Sequence, residues 1–219
     1  MALQLKLYAL TTLANLKDRL QLTTTGFDTS LTRLINQQTD WLEAQCGNRQ
    51  FVSRTGNTVL NTYTHEVYDG GTGGRFLYLR QAPVFSLALF QWRAGVPTNP
   101  AWTDFVPVTY ELDQTDANGM CRTGMIRVYG GVPTGSSNIR ATYTAGYAVD
   151  WANEGSATHT LPSDLTDICE QLCVREFTQR NSFGKAAESA EKASTTWMKD
   201  LDKRVEAKIL EYTRPQLYT

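Results

Sequence analysis

The spacing of apolar residues changes twice along this chain, and that double change limits the folds open to it. Up to about Cys46 apolar groups recur at the three-and-four spacing of a helix. From about 59 to 146 the period falls towards two, β-branched and aromatic residues rise, and turn signals arrive at short intervals. Helical spacing then returns. The order helices, strands, helices predicts an α+β protein: a helical bundle over 1–58 and 147–219, with an antiparallel β-module over 59–146 inserted into it. A C-terminal helix followed by an extended tail completes the expectation.

Three helices should carry the bundle. LANLKDRLQL, over 13–22, aligns Leu13, Leu16 and Leu20 on one side, with Thr11 or Thr12 as its cap. Over 28–46, Leu31, Leu34, Ile35, Leu42 and Cys46 make a clean stripe that Gly47 ends. The stretch PSDLTDICEQLCVREFTQR, 162–180, sets Leu165, Ile168, Cys169, Leu172 and Cys173 on one face. Pro162 suits its first turn, and Ser163 or Asp164 can cap it. That face is not clean, because Glu176 falls inside the stripe while Val174 points the other way. A helix apolar on two sides needs a neighbour on both, either a further helix or another subunit. Val174, Glu176 and Phe177 are therefore expected at a subunit interface. The final helix, 195–212, stacks Trp197, Leu201, Val205 and Ile209 at successive fours. The polar stretch 181–191 separates it from the bundle.

Within the β-module, VLNTYTHEVYD and RFLYLRQ flank the Gly-rich run 69–74 and read as a hairpin. VFSLALFQW, VPVTYEL, GMIRVYG and NIRATYTAGY supply further strands. Trp102 and Trp151 fall in irregular stretches, which makes them candidates for an interaction surface.

Chemistry is sparse. The Gly-rich run lacks the Lys-Ser/Thr ending and the following helix that a phosphate loop needs. His65 and Glu66 alternate along a strand, so they should face opposite sides. No nucleophile elbow and no His-Glu-x-x-His pair occurs. Asp113 and Asp116 sit in an expected turn. Cys46, Cys121, Cys169 and Cys173 have no metal-ligand spacing and read as reduced thiols. We expect no catalytic residue, cofactor or metal. The net charge of −1 over 219 residues argues against a protein that grips nucleic acid. No apolar run reaches membrane-spanning length, and MALQLKLYAL carries Lys6 where a signal peptide would be apolar.

Taken together, LTTLANLKDRL, LTRLINQQTDWLEAQCGNRQF, EVYDGG with RFLYLRQAPVFSL, and ATYTAGY before LPSDLTDICEQLCVREFTQR resemble the head–tail connector (adaptor) family of tailed bacteriophages, the kind described as gp6-like. The resemblance spans about 10–184 and rests on structural signatures. It implies a structural virion protein, made in the host cytoplasm, that forms a homo-oligomeric ring, usually dodecameric, beneath the portal protein. The ring would extend the DNA channel without sequence-specific binding and receive a tail or neck completion protein. It also implies that the C-terminus reaches the portal. Arg214, Leu217 and Tyr218, a cation and two apolar groups on a tail too short to bury them, are then the expected portal-docking residues. The long β-insertion departs from the smallest family members. Two other readings stay open on the residues: another neck or tail-completion protein, and a carbohydrate- or receptor-binding β-module on a helical base.

Overall fold

A computed structural model of the protein describes residues 3–54, 60–94, 101–113, 115–116, 119–182 and 191–213, with backbone alone over 181–182 and 191–201. The chain is α+β and divides into two compact units. One comprises Met1–Asn48 and Val149–Pro215, the other Arg49–Ala148.

The helical unit contains α1 (Leu13–Arg19), α2 (Asp28–Gln45), α3 (Ser163–Ser182) and α4 (Glu191–Tyr212). Thr12 caps α1 by accepting from the Asn15 amide at 3.1 Å. The helix stops three residues short of the expected end, because Gln21 turns the chain through a left-handed conformation, φ 54°. Gly47, φ 79°, does the same just beyond α2, where glycine costs least. Leu31, Leu34, Ile35 and Leu42 of α2 are buried, as are Leu165, Ile168, Cys169 and Leu172 of α3. The two helices meet at Thr39 Oγ1 and Cys169 Sγ, 3.9 Å apart. Burying each such aliphatic side chain is worth about 1.5–3 kcal/mol, so this apolar seam is the main source of the unit's stability. The α4 helix begins at Glu191, four residues before the expected start.

The β unit is a sandwich of two antiparallel sheets. Its strands are β1 (Asn61–Tyr68), β2 (Phe76–Tyr78), β3 (Val84–Trp92), β4 (Thr103–Asp104), β5 (Tyr110–Leu112), β6 (Met125–Val128) and β7 (Ile139–Ala145). One sheet runs β1-β7-β3-β4 and the other β2-β6-β5. Alternate residues point inward, as the pleat requires. Ile139, Ala141 and Tyr143 of β7 join Leu77, Ile126 and Val128 of the smaller sheet in one buried cluster. The unit's ends meet where the Tyr147 amide donates to Phe51 O at 2.6 Å.

The expected hairpin around 69–74 does not form. The strand β1 pairs with β7, and β2 pairs with β6 in the other sheet. The Gly-rich run is a crossover between sheets, held by the loop before β7. The Gly70 amide donates to Asn138 Oδ1 at 2.8 Å, and Gly71 and Gly135 exchange backbone hydrogen bonds. A Cβ on Gly70 would lie 1.8 Å from Pro133 O, whereas one on Gly74 would meet nothing. Gly70→Ala should therefore destabilise the β unit by about 1–3 kcal/mol or more, as overpacking does. Gly74→Ala should stay within about 0.5 kcal/mol of the parent. Urea denaturation followed by tyrosine and tryptophan fluorescence separates the two.

Candidate functional site

The helix α3 organises the helical unit, and its two sides differ in chemistry. Val174 and Phe177, one turn apart on α3, are both half-buried. Phe177 meets Phe27, itself 41% exposed, edge to face at 5.4 Å between ring centres. These side chains leave a partly open apolar strip. Glu176 does not share it: Arg180 Nε donates to its carboxylate at 3.1 Å, one turn along the helix. That pairing accounts for an acidic residue beside apolar ones. Arg214, Leu217 and Tyr218 lie outside the described residues.

Another side of α3 is taken by α4 through charge. Asp164 accepts from Lys208 Nζ at 2.8 Å and from the Tyr212 hydroxyl at 2.9 Å. Asp167 accepts from Arg19 at 2.7 Å, from Gln171 at 2.6 Å and from Arg204 at 3.5 Å. Arg175 pairs with Asp202 at 2.6 Å. Val205 and Tyr212 are the buried side chains among those described on α4, and Leu210 is 75% exposed. This seam was not anticipated from sequence, where Asp164 entered only as a cap. Its signal is there, however: carboxylates three apart at 164 and 167 face cations four apart at 204 and 208.

Beside Asp167 lies a cavity of about 370 Å³ lined in part by Arg19, Glu154, His159 and Glu170. Arg19 pairs with Glu170 at 2.9 Å as well as with Asp167, and Thr11 Oγ1 donates to Glu170 at 2.7 Å. The cavity's charges are thus largely spent on one another. No group of three or more ligating side chains suited to a metal ion occurs among the described residues. Cys169 and Cys173 are buried, and hydrogen bonding between them together with desolvation pushes the Cys173 thiol far up.

In the β unit, His65 and Glu66 do not share a pocket. A bulge between Tyr63 and Glu66 puts His65 at φ 52°, exposed, while its amide donates to Thr142 Oγ1. Glu66 accepts instead from the Tyr68 and Tyr143 hydroxyls, the latter at 2.8 Å. Desolvation, with that carboxylate adjoining, raises the Tyr68 phenol. Asp113 is buried and binds Arg127 Nη2 at 2.7 Å, so it does more than make a turn. The Trp102 ring has the guanidinium groups of Arg93 and Arg140 over it, at 4.7 and 4.5 Å. It is not an open platform for a sugar. Trp151 stands edge-on to His159 at 5.3 Å.

The charged seam has a pH signature. Burial opposes ionisation of Asp164 and Asp167, but hydrogen bonds from Lys208 and Tyr212, and from Arg19 and Gln171, outweigh it and hold both carboxyls below the usual range. A depressed folded-state value adds stability in full above the unfolded value. That stability is lost as pH falls through the folded value, so the window opens below about pH 4. Backbone hydrogen exchange over 202–212 should accelerate more between pH 5 and pH 3, relative to α2, than intrinsic chemistry allows. The Asp164→Asn/Asp167→Asn variant should show that acceleration already at pH 5 and change little below it. Each exposed pair contributes only about 0.2–1 kcal/mol, so the effect is local fraying of α4 and not global unfolding.

No protein-family model matches this chain, and no curated protein matches it. Among solved structures, a chain from the neck of an empty GTA particle, computed with C6 symmetry, is similar to it. The two are 16% identical, the match covers 94% of this chain and 91% of that one, and the TM-score is 0.51. At that identity the likeness is one of fold, and it extends over both the helical and the β unit.

Proposed function

We propose that this chain is a structural protein of a tailed bacteriophage or phage-like particle. It acts as a head–tail connector (adaptor), forming a ring below the portal that extends the DNA channel and joins head to tail. The observation that carries the reading is the fold shared over nearly the whole of both chains with a component of a GTA neck. It is supported by the helical, β, helical order of the elements. No helix among the described residues is long and apolar enough to cross a membrane.

In this reading α2 and α3 build the wall between neighbouring subunits. Val174 and Phe177, with Phe27, supply the apolar contact, and Glu176 keeps Arg180 folded back along α3. Arg214, Leu217 and Tyr218 engage the portal. The DNA passes without sequence-specific contact, and a tail or neck completion protein binds the far side. Ordering a tail costs about 1–2 kcal/mol per residue, so repetition around the ring supplies the affinity by avidity.

Mass photometry of the purified protein, alone and with portal, tests this directly. A ring of twelve copies of the 24.5-kDa chain gives a species of roughly 290 kDa. A protein that stays monomeric under both conditions overturns the reading. Val174→Asp should weaken assembly while the far-ultraviolet circular dichroism stays nearly unchanged. Loss of helix instead would assign Val174 to the subunit's own core. Truncation after Thr213 should leave the ring intact and abolish capture by portal in a pull-down; undiminished capture would exclude the tail from portal docking.

A further inference from the structure

The β unit has two outer faces that point away from one shared core, and their chemistry is complementary. On the three-stranded sheet the register sets Phe76, Arg127 and Glu111 side by side, opposite the inward-facing Leu77, Ile126 and Leu112. Tyr129 lies next to Glu111, and its amide donates to Thr109 O at 2.8 Å, beside the turn that carries Val106 and Val108. Phe76, Val106, Val108 and Tyr129 are 46%, 59%, 82% and 54% exposed, four of the five large apolar groups that this unit exposes among its described residues. Arg127 gives its close contact to buried Asp113, at 2.7 Å, and reaches Glu111 only at 3.8 Å. Its buried Nε donates to nothing among the described residues. The Arg127 guanidinium also lies over the Phe76 ring at 5.7 Å. This face therefore gathers exposed aromatic and aliphatic groups around Glu111, which holds Tyr129 and has Arg127 only at the longer distance.

On the four-stranded sheet the outward row is Val67, Arg140, Gln91 and Asp104, paired across the strands. Arg140 donates through Nε to Gln91 Oε1 and shares the Trp102 ring with Arg93, but it makes no ion pair among the described residues. Gln91 in turn holds Asp104. Arg140 thus stands on this face beside the Trp102 ring.

A face that presents apolar groups around Glu111, backed by a face that presents an aromatic ring beside Arg140, suits head-to-tail stacking of identical units. We propose that the β units of neighbouring copies form a belt. The face carrying Phe76, Glu111, Val108 and Tyr129 on one copy docks against the Arg140–Trp102 face of the next, and Glu111 pairs with Arg140. The occupant is a second copy of this chain because one unit holds both halves of the contact on opposite sides of its core. An interface using two different patches generates a ring when its rotation closes. The inference rests on the ring reading above and assigns to the β unit the second of two contacts between neighbours.

Charge reversal on the full-length protein tests it, read by mass photometry. Glu111→Arg and Arg140→Glu, each alone, should lower the assembled fraction roughly tenfold or more, since like charges then meet at every junction. The double variant should assemble again. Mixing the two single variants should also restore assembly, because each then meets an opposite charge on both sides when copies alternate. Val108→Asp, at an 82% exposed position, should lower assembly with no change in thermal stability. Single variants or Val108→Asp that assemble like the parent overturn the belt, and so does failure of both the double variant and the mixture to recover. A parent chain that never forms a ring overturns the function proposed above, which separates the two failures.

Discussion

A carboxylate buried among helices has to be met by donors, or it is protonated or expelled; leaving one unpaired costs several kcal/mol. Glu170 of α3 is such a group, 8% exposed in the middle of the helical unit. Thr11, just ahead of α1, and Arg19, at its end, satisfy the two oxygens. That requirement fixes where α1 lies, since a shift of one helical turn would strand the carboxylate. Arg19 then reaches Asp167, and Asp167 reaches Arg204 of α4. One buried charge so orders three helices, α1, α3 and α4. The apolar α2–α3 seam supplies most of the energy, and the ionic chain supplies the register.

The sequence made the apolar part of this arrangement visible and hid the ionic part. Leu165, Ile168, Cys169 and Leu172 announce their face through spacing, because burial acts on every turn alike. Glu170 and Asp167 interrupt that pattern and look like solvent-facing residues until their partners, about 150 positions away, are known. The difficulty at 69–74 has the same origin. Two strand-like runs around glycines satisfy the local rules for a hairpin, but the pairing is decided by β6 and β7. Gly70 accepts no side chain for a tertiary reason, the closeness of Pro133 O. Val174 was legible as a residue off the main stripe, whereas Phe27, outside any periodic run, was not.

Placing an inserted unit within a helical protein requires that its ends lie close together. Here the hydrogen bond between Tyr147 and Phe51 brings them together, and Gly146 permits it: at φ 103° its Cα side faces Phe51 O, where an added Cβ would come within 3.2 Å. A module closed at its base in this way folds around its own core, with Tyr143 and Ile139 fully buried and Tyr143 stacked on Tyr63 at 5.2 Å. Such a core needs nothing from the outer faces. Those faces are free to carry chemistry that has no role in folding, which is where the exposed valines at 106 and 108 are found, with the guanidinium of Arg140, which makes no ion pair among the described residues.

The low net charge now has a structural sense. Within the net charge of −1, carboxylates 164 and 167 meet cations 204 and 208 inside one copy. Glu111 and Arg140 lie on different sheets of the β unit, where Arg127 is the cation near Glu111 and Gln91 the side-chain acceptor for Arg140. Charges of opposite sign that do not meet within a single copy give that copy a direction. Exposed pairs of this kind are individually weak, about 0.2–1 kcal/mol, and are screened over about 8 Å at physiological salt. In the proposed belt these charges exclude wrong orientations and do not supply the affinity, because a reversed copy would set like charges together. On that proposal affinity comes from the apolar groups around them, Phe76, Val108 and Tyr129 of the β unit and Val174 and Phe177 of the helical unit. Two modest contacts per neighbour, repeated at every junction of the proposed ring, would then hold it far more firmly than either alone, since opening a closed ring requires both contacts at two junctions to fail together.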